Sequence, residues 1–109
     1  MTRVIVKPGI CGFNAIIDID TIDREKLSFK IKSDCKTVTA FGESLSEISK
    51  WDIFKPKAES GLFIKLSEHP LHPSCPVPVG IVKAVEVEAG LAIARDVSIC
   101  FEIIGNRKG

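Results

Sequence analysis

Residues that could do thiol or metal chemistry are concentrated in one ten-residue stretch, His69-Pro70-Leu71-His72-Pro73-Ser74-Cys75-Pro76-Val77-Pro78. It holds two imidazoles, one thiol and four prolines. Two further cysteines lie at similar junctions: Cys11 within Pro8-Gly9-Ile10-Cys11-Gly12-Phe13, and Cys35 after Ser33-Asp34. The thiolate is the form of cysteine that binds soft metals and attacks electrophiles. The free N–H groups and the dipole at a helix start favour negative charge. Cys35 and Cys75 both fall at expected helix starts, and Cys11 falls in a glycine-flanked turn. If those three ends share one edge of the fold, the three sulfurs form a site. Its chemistry would be a bound metal ion, an iron–sulfur cluster or sulfur transfer.

His69, His72 and Cys75 are each three residues apart, and with Cys11 and Cys35 they make the candidate metal set. Zinc takes four nitrogen or sulfur ligands in structural sites and three plus water in catalytic ones. Pro70 and Pro73 prevent a continuous helix there, so this spacing alone fixes no geometry. No Cys-x-x-Cys pair occurs, and the spacings differ from the common ferredoxin patterns. The cofactor, if there is one, is zinc or an iron–sulfur cluster. Each cysteine also has a plainer reading as a small core residue, because free cysteine is among the most buried residue types. Cys100, in the middle of an expected strand, is read as structural.

Other chemistry is sparse. Asp18, Asp20 and Asp23 resemble a hard-cation set, but Ile17, Ile19 and Ile22 between them mark the polar side of a strand and its turn. There is no glycine-rich phosphate loop. Ser44, Ser46 and Ser49 have no histidine base nearby in sequence, so a hydrolase is not expected, and an enzyme of any kind is the less favoured reading. Fifteen basic residues balance fourteen acidic ones, without the basic stripe of a nucleic-acid binder. One tryptophan and no tyrosine make a poor base-stacking platform. No apolar run approaches the roughly 20 residues of a spanning helix. Met1 to Pro8 has no signal-peptide core, so the expected compartment is the cytoplasm, where thiols stay reduced.

The elements that must position these residues follow from periodicity. Thr2 to Lys7 is a β-branched run that ends at a Pro8-Gly9 turn. Asn14 to Asp20 alternates, and Leu27, Phe29 and Ile31 alternate with Ser28, Lys30 and Lys32. Ser33 or Asp34 is a helix cap, and Val38, Phe41, Leu45 and Ile48 then predict about four helical turns with Cys35 facing inward. Trp51, Ile53 and Phe54 suit a short strand before Pro56, and 61–68 a short helix. The run from Val79 to Ala89 fits either type. Its flanking prolines and Gly90 as a stop favour helix. Asp96 to Ile104 reads as a strand with Val97, Ile99, Phe101 and Ile103 on one face. The expected fold class is α+β: an antiparallel or mixed sheet of about four strands with two main helices on one face, in the order βββα-(short)-αβ. A chain of 109 residues suits one domain, 1–109, with 105–109 as a frayed tail.

Two resemblances bear on function. Cys75-Pro76-Val77-Pro78 followed by Val79-Gly80-Ile81-Val82-Lys83-Ala84 resembles the Cys-Pro-x-Pro helix start of the TusA/SirA-like sulfur carriers. The resemblance implies Cys75 as the acceptor of a persulfide sulfur and Pro76 and Pro78 as openers of the helix beneath it. It implies a protein partner that donates or accepts sulfur, with Cys11 or Cys35 as a relay thiol. In that family the motif follows the first strand, whereas here it comes late in the chain. The wider set, Gly9-Ile10-Cys11-Gly12-Phe13, Ser33-Asp34-Cys35 and His72-Pro73-Ser74-Cys75-Pro76-Val77-Pro78, is similar to a family of small, uncharacterised proteins from anaerobes. Three expectations therefore stand: a cysteine-based metal or cluster site, a persulfide carrier, or an interaction domain whose cysteines only pack. The oligomeric state cannot be read from these residues.

Overall fold

The alternating runs near the N-terminus pair as a meander. In the computed structural model, which describes residues 1–105, β1 (Thr2–Val6), β2 (Ala15–Thr21), β3 (Lys26–Ser33) and the two-residue β4 (Ile48–Ser49) form one antiparallel sheet in sequential order. The register aligns Val4 with Ile17 and Ile17 with Ile31, so these side chains share a face. Arg3, Asp18 and Lys30 line up on the other face. One face is apolar and the other mostly polar, with Ile5 and Ile16 as its apolar pair, as expected of an antiparallel sheet covered on one side.

Two helices cover the apolar face. Helix α1 (Lys36–Ser44) lies over β3, where a Cβ on Gly42 would come within 2.9 Å of Ile31 Cβ. Helix α3 (Val77–Glu88) lies over β1 and β2, where a Cβ on Gly80 would meet Val6 Cγ2 at 2.6 Å. A shorter helix, α2 (Gly61–Glu68), follows a single 3-10 turn at Asp52–Phe54. The core beneath them gathers Val6, Ala15, Ile17, Ile19, Leu27, Val38, Phe41, Leu62, Val77, Ile81, Ala84 and Val85. The fold is thus α+β, with a four-stranded antiparallel sheet and three helices.

Four details differ from the periodicity. Helix α1 stops at Ser44: Leu45 is already extended and caps the helix by donating its N–H to the Gly42 carbonyl. Ile48, at helical spacing from Leu45, instead pairs with Leu27 as part of β4. Trp51–Phe54 turns as a 3-10 segment rather than a strand, because Asp52 is drawn inward to hold α2. The largest difference is at the C-terminus. Gly90, at φ +76°, stops α3 as expected, but residues 91–105 then carry no regular secondary structure and all are exposed. The expected strand at Asp96–Ile104 does not join this sheet. Its place as the fourth strand is taken by β4. The expected frayed tail at 105–109 falls, for 106–109, outside the described residues.

Candidate functional site: the thiol-bearing end of the sheet

The register brings the three sequence motifs to one end of the molecule. Val6 pairs with Ala15, and Ala15 with Ser33, so the β1–β2 loop and the end of β3 are adjacent. Cys11 is in that loop, and Cys35 is two residues beyond Ser33. Helix α3 runs antiparallel to β1, since Gly80 abuts Val6 whereas Glu88 accepts a hydrogen bond from Thr2 Oγ1 at 2.7 Å. Its start, just after Cys75, therefore lies at the same end as Cys11 and Cys35. Two helix N-termini and one glycine-rich loop converge there.

Each thiol has its own setting. Cys35 is half-buried against the core at the N-cap position of α1. Its N–H donates to Ser33 Oγ at 3.1 Å, and its carbonyl accepts from Thr39 N–H and Oγ1, both at 3.0 Å. Cys75 is half-buried against the same core. Its N–H donates to the His72 carbonyl at 2.9 Å, closing the turn that leads into Pro76 and α3. Pro76 is the N-cap, and Pro78 sits in the first turn, where a missing N–H removes no helical bond. Cys11 is exposed at the tip of a turn closed by Gly12 N–H donating to the Gly9 carbonyl at 3.0 Å. Gly9 and Gly12 have φ of +92° and +73°, a region L side chains seldom occupy. All four cysteines are free, and Cys100 is exposed on the C-terminal segment.

The histidines divide. His69 caps the end of α2, its Nδ1 3.2 Å from the Lys65 carbonyl and its ring edge-on to Phe41 at 6.4 Å. His72 is exposed in the turn that leads to Cys75. Among the described residues no group of three or more His, Cys, Asp or Glu side chains stands close enough together to hold a metal ion. The three cysteines share an end of the sheet, but they are not an assembled coordination sphere. The aspartates are likewise separate: Asp18 accepts from Arg3 Nε at 2.7 Å and Nη2 at 2.9 Å, Asp20 lies 3.6 Å from the terminal amine, and Asp23 accepts from Arg24 N–H.

One buried charge was invisible in the sequence pattern. Asp52, only 4% exposed, accepts from Ser60 Oγ at 2.6 Å, Gly61 N–H at 2.9 Å and Leu62 N–H at 3.1 Å. Burial pushes its carboxyl up, but the hydrogen bonds from Ser60, Leu62 and Gly61, with Lys55 alongside, outweigh that and hold it below the usual range. Ser60 Oγ in turn accepts from Phe63 N–H at 3.3 Å. The pair satisfies the free N–H groups at the start of α2, which is a structural duty. Ser60 before an apolar run was a readable cap signal. Asp52, eight residues upstream, was not.

At the opposite end, Glu88 ties α3 to the sheet through Thr2 Oγ1, Thr21 Oγ1 and Thr21 N–H. No helix among the described residues is long and apolar enough to cross a membrane. A family model described as a family of unknown function (DUF6951) matches residues 2–101. No curated protein and no solved structure matches the chain.

Proposed function

The chain belongs to DUF6951, a family of unknown function, and we propose that its working part is the end of the sheet that bears Cys11, Cys35 and Cys75, acting as a thiolate site for zinc or an iron–sulfur cluster. One observation carries this reading. Three cysteines far apart in sequence lie on three different elements at one end of the fold, two of them beside helix N-termini. Thiolates are the preferred ligands of both groups. His72 is the better-suited additional ligand, because His69 already packs on Phe41 and contacts the Lys65 carbonyl. Loading requires the Cys11 turn to draw toward Cys35 and Cys75, and the two positive-φ glycines give that turn its freedom. Four free thiols suit a reducing compartment, the cytoplasm.

Protein purified without oxygen should carry metal, and Cys11→Ser, Cys35→Ser and Cys75→Ser should each lower its content and the thermal stability of the loaded form. Metal-free protein with equal stability in all three variants refutes the site.

A second reading rests on the placement of Cys75 directly before α3, half-buried, with Pro78 in the first turn. There Cys75 acts as a sulfur carrier. Its thiolate attacks the outer sulfur of a donor persulfide, a new S–S bond forms, the donor's S–S bond breaks, and the donor cysteine leaves as a thiolate. No electrons are gained or lost overall. Intact mass after incubation with a cysteine desulfurase and cysteine would show one added sulfur. Cys11→Ser separates the readings, because it lowers metal content but leaves Cys75 able to take up sulfur.

A further inference from the structure

We propose that the C-terminal arm, residues 91–105, is a strand donated to a second copy of this chain, where it pairs with the free edge of β1 in a reciprocal exchange. The arm has a strand's pattern without a strand's partner. Val97, Ile99, Phe101 and Ile103 alternate with Asp96, Ser98, Cys100 and Glu102. The four apolar side chains are 61%, 82%, 89% and 68% exposed. Single exposed apolar residues are ordinary, but a contiguous row of them marks an interaction surface. The long dimension of the molecule, 54 Å against 29 and 27 Å, fits an arm that extends from the globule rather than lying along it.

The complementary surface is on the same molecule. Strand β1 ends the sheet order, and β2 is its one neighbour among the described residues. A sheet edge presents unpaired N–H and C=O groups that accept an added strand. The two-sidedness also matches. Val4 and Val6 of β1 face the helices, while Arg3 belongs to the polar face with Asp18 and Lys30. An arm laid beside β1 with Val97, Ile99, Phe101 and Ile103 on the helix side extends the core. Its Asp96, Ser98 and Glu102 then continue the polar face.

Two observations favour a second copy as the occupant. The arm leaves α3 at Gly90, and α3 is held at that end by Glu88 to Thr2, the first residue of β1. The arm therefore starts beside its own β1, so two copies placed with their β1 edges facing each other bring each arm to the other copy's edge across a short span. Its full exposure from 91 to 105 shows that it does not cover its own β1. Exchange of identical elements is a low-cost route to a two-fold dimer.

The test is solution mass together with amide exchange, on the full chain and on the double variant Ile99→Asp/Phe101→Asp. Both positions are solvent-exposed, so the variant leaves the monomer's core intact, and circular dichroism checks this. We expect about twice the 11.9 kDa chain mass at high micromolar concentration, with slow exchange at Thr2–Val6. In the variant we expect monomer mass, fast exchange at Thr2–Val6 and a dissociation constant raised at least about 100-fold, as for loss of central interface anchors. A monomer at all concentrations overturns the proposal, including one whose arm is protected on its own β1. A dimer that survives the double variant, or one that leaves the β1 amides unprotected, overturns it equally.

Discussion

Gly80→Ala provides a stringent check on how α3 sits against the sheet. In an ordinary helix interior, glycine to alanine stabilises by about 1 kcal/mol. Here the added Cβ would lie 2.6 Å from Val6 Cγ2, well inside contact distance, with Ile17 Cδ1 and Val4 Cγ1 at an ordinary 3.5 Å. Val6 is 7% exposed and β-branched, so its χ1 has little freedom to swing the methyl away. Forcing a methyl into such a contact costs about 1–3 kcal/mol. The net expectation is a loss of about 0–2 kcal/mol, seen as a lower urea midpoint at unchanged slope. Val6→Ala removes the obstructing methyl and costs about 1–3 kcal/mol alone. In that background Gly80→Ala should become neutral or stabilising by up to about 1 kcal/mol. The double-mutant cycle should then give a coupling of about 1–3 kcal/mol. If Gly80→Ala stabilises the otherwise unaltered protein, or if the coupling is absent, the close approach of α3 to β1 is refuted.

Three further outcomes are expected. Asp52→Ala should lower stability by about 2–4 kcal/mol, since it strands the Leu62 N–H and Ser60 hydroxyl in the interior, and thermal unfolding should fall by very roughly 10 °C in a domain of this size. Asp52, Asp18 and Glu88 are all held below their ordinary ranges: Asp18 by its hydrogen bond from Arg3, and Glu88 because bonds from Thr2 and Thr21 and the nearby terminal amine overcome the opposing effect of burial. Their stabilisation is complete above the unfolded carboxyl range and is lost as pH falls through the lowered folded values, so unfolding free energy should drop below about pH 4. Asp52→Asn should flatten that acid limb, and an unchanged limb would remove Asp52 from the account. Gly12→Ala should cost about 1 kcal/mol from its positive φ alone, because no atom lies within 4 Å of the new Cβ, and Gly12→Asn should cost measurably less. Equal cost for the two would mean that backbone conformation is not what selects glycine beside Cys11.

What could be read in advance depended on whether a residue's duty is local. β2 and β3 were legible because alternation records directly which side of a sheet is wet, and β1 because a β-branched run ends there at the Pro8-Gly9 turn. Helix α3 was legible because Pro78 and Gly90 are start and stop signals that act within one turn. The length of α1 was not, because Leu45 and Ile48 continue the apolar stripe for a different purpose: Ile48 is spaced for a helix but serves the core as Leu27's strand partner. Asp52 was hidden for a related reason. Its partners are the Ser60 hydroxyl and two backbone N–H groups nine and ten residues away, and no side-chain pattern records a backbone donor. The thiol end shows the same division. Sequence could place Cys11, Cys35 and Cys75 at element ends, but only the Val6–Ala15–Ser33 register and the direction of α3 along β1 decide that the ends coincide.

The C-terminal arm extends this reasoning beyond one chain. Alternation in Val97, Ile99, Phe101 and Ile103 specifies a strand with one buried side, and it says nothing about whose sheet supplies the cover. Within the described residues that cover is missing, while the polar–apolar division of β1 is continued by the arm's own pattern. An open strand edge at β1 and a strand pattern without a partner in the arm are more simply closed by joining the two than by two independent exceptions. The arm leaves α3 at the Thr2–Glu88 end, and the three thiols lie at the Val6–Ser33 end, so the arm departs from the end of the sheet opposite the cysteines.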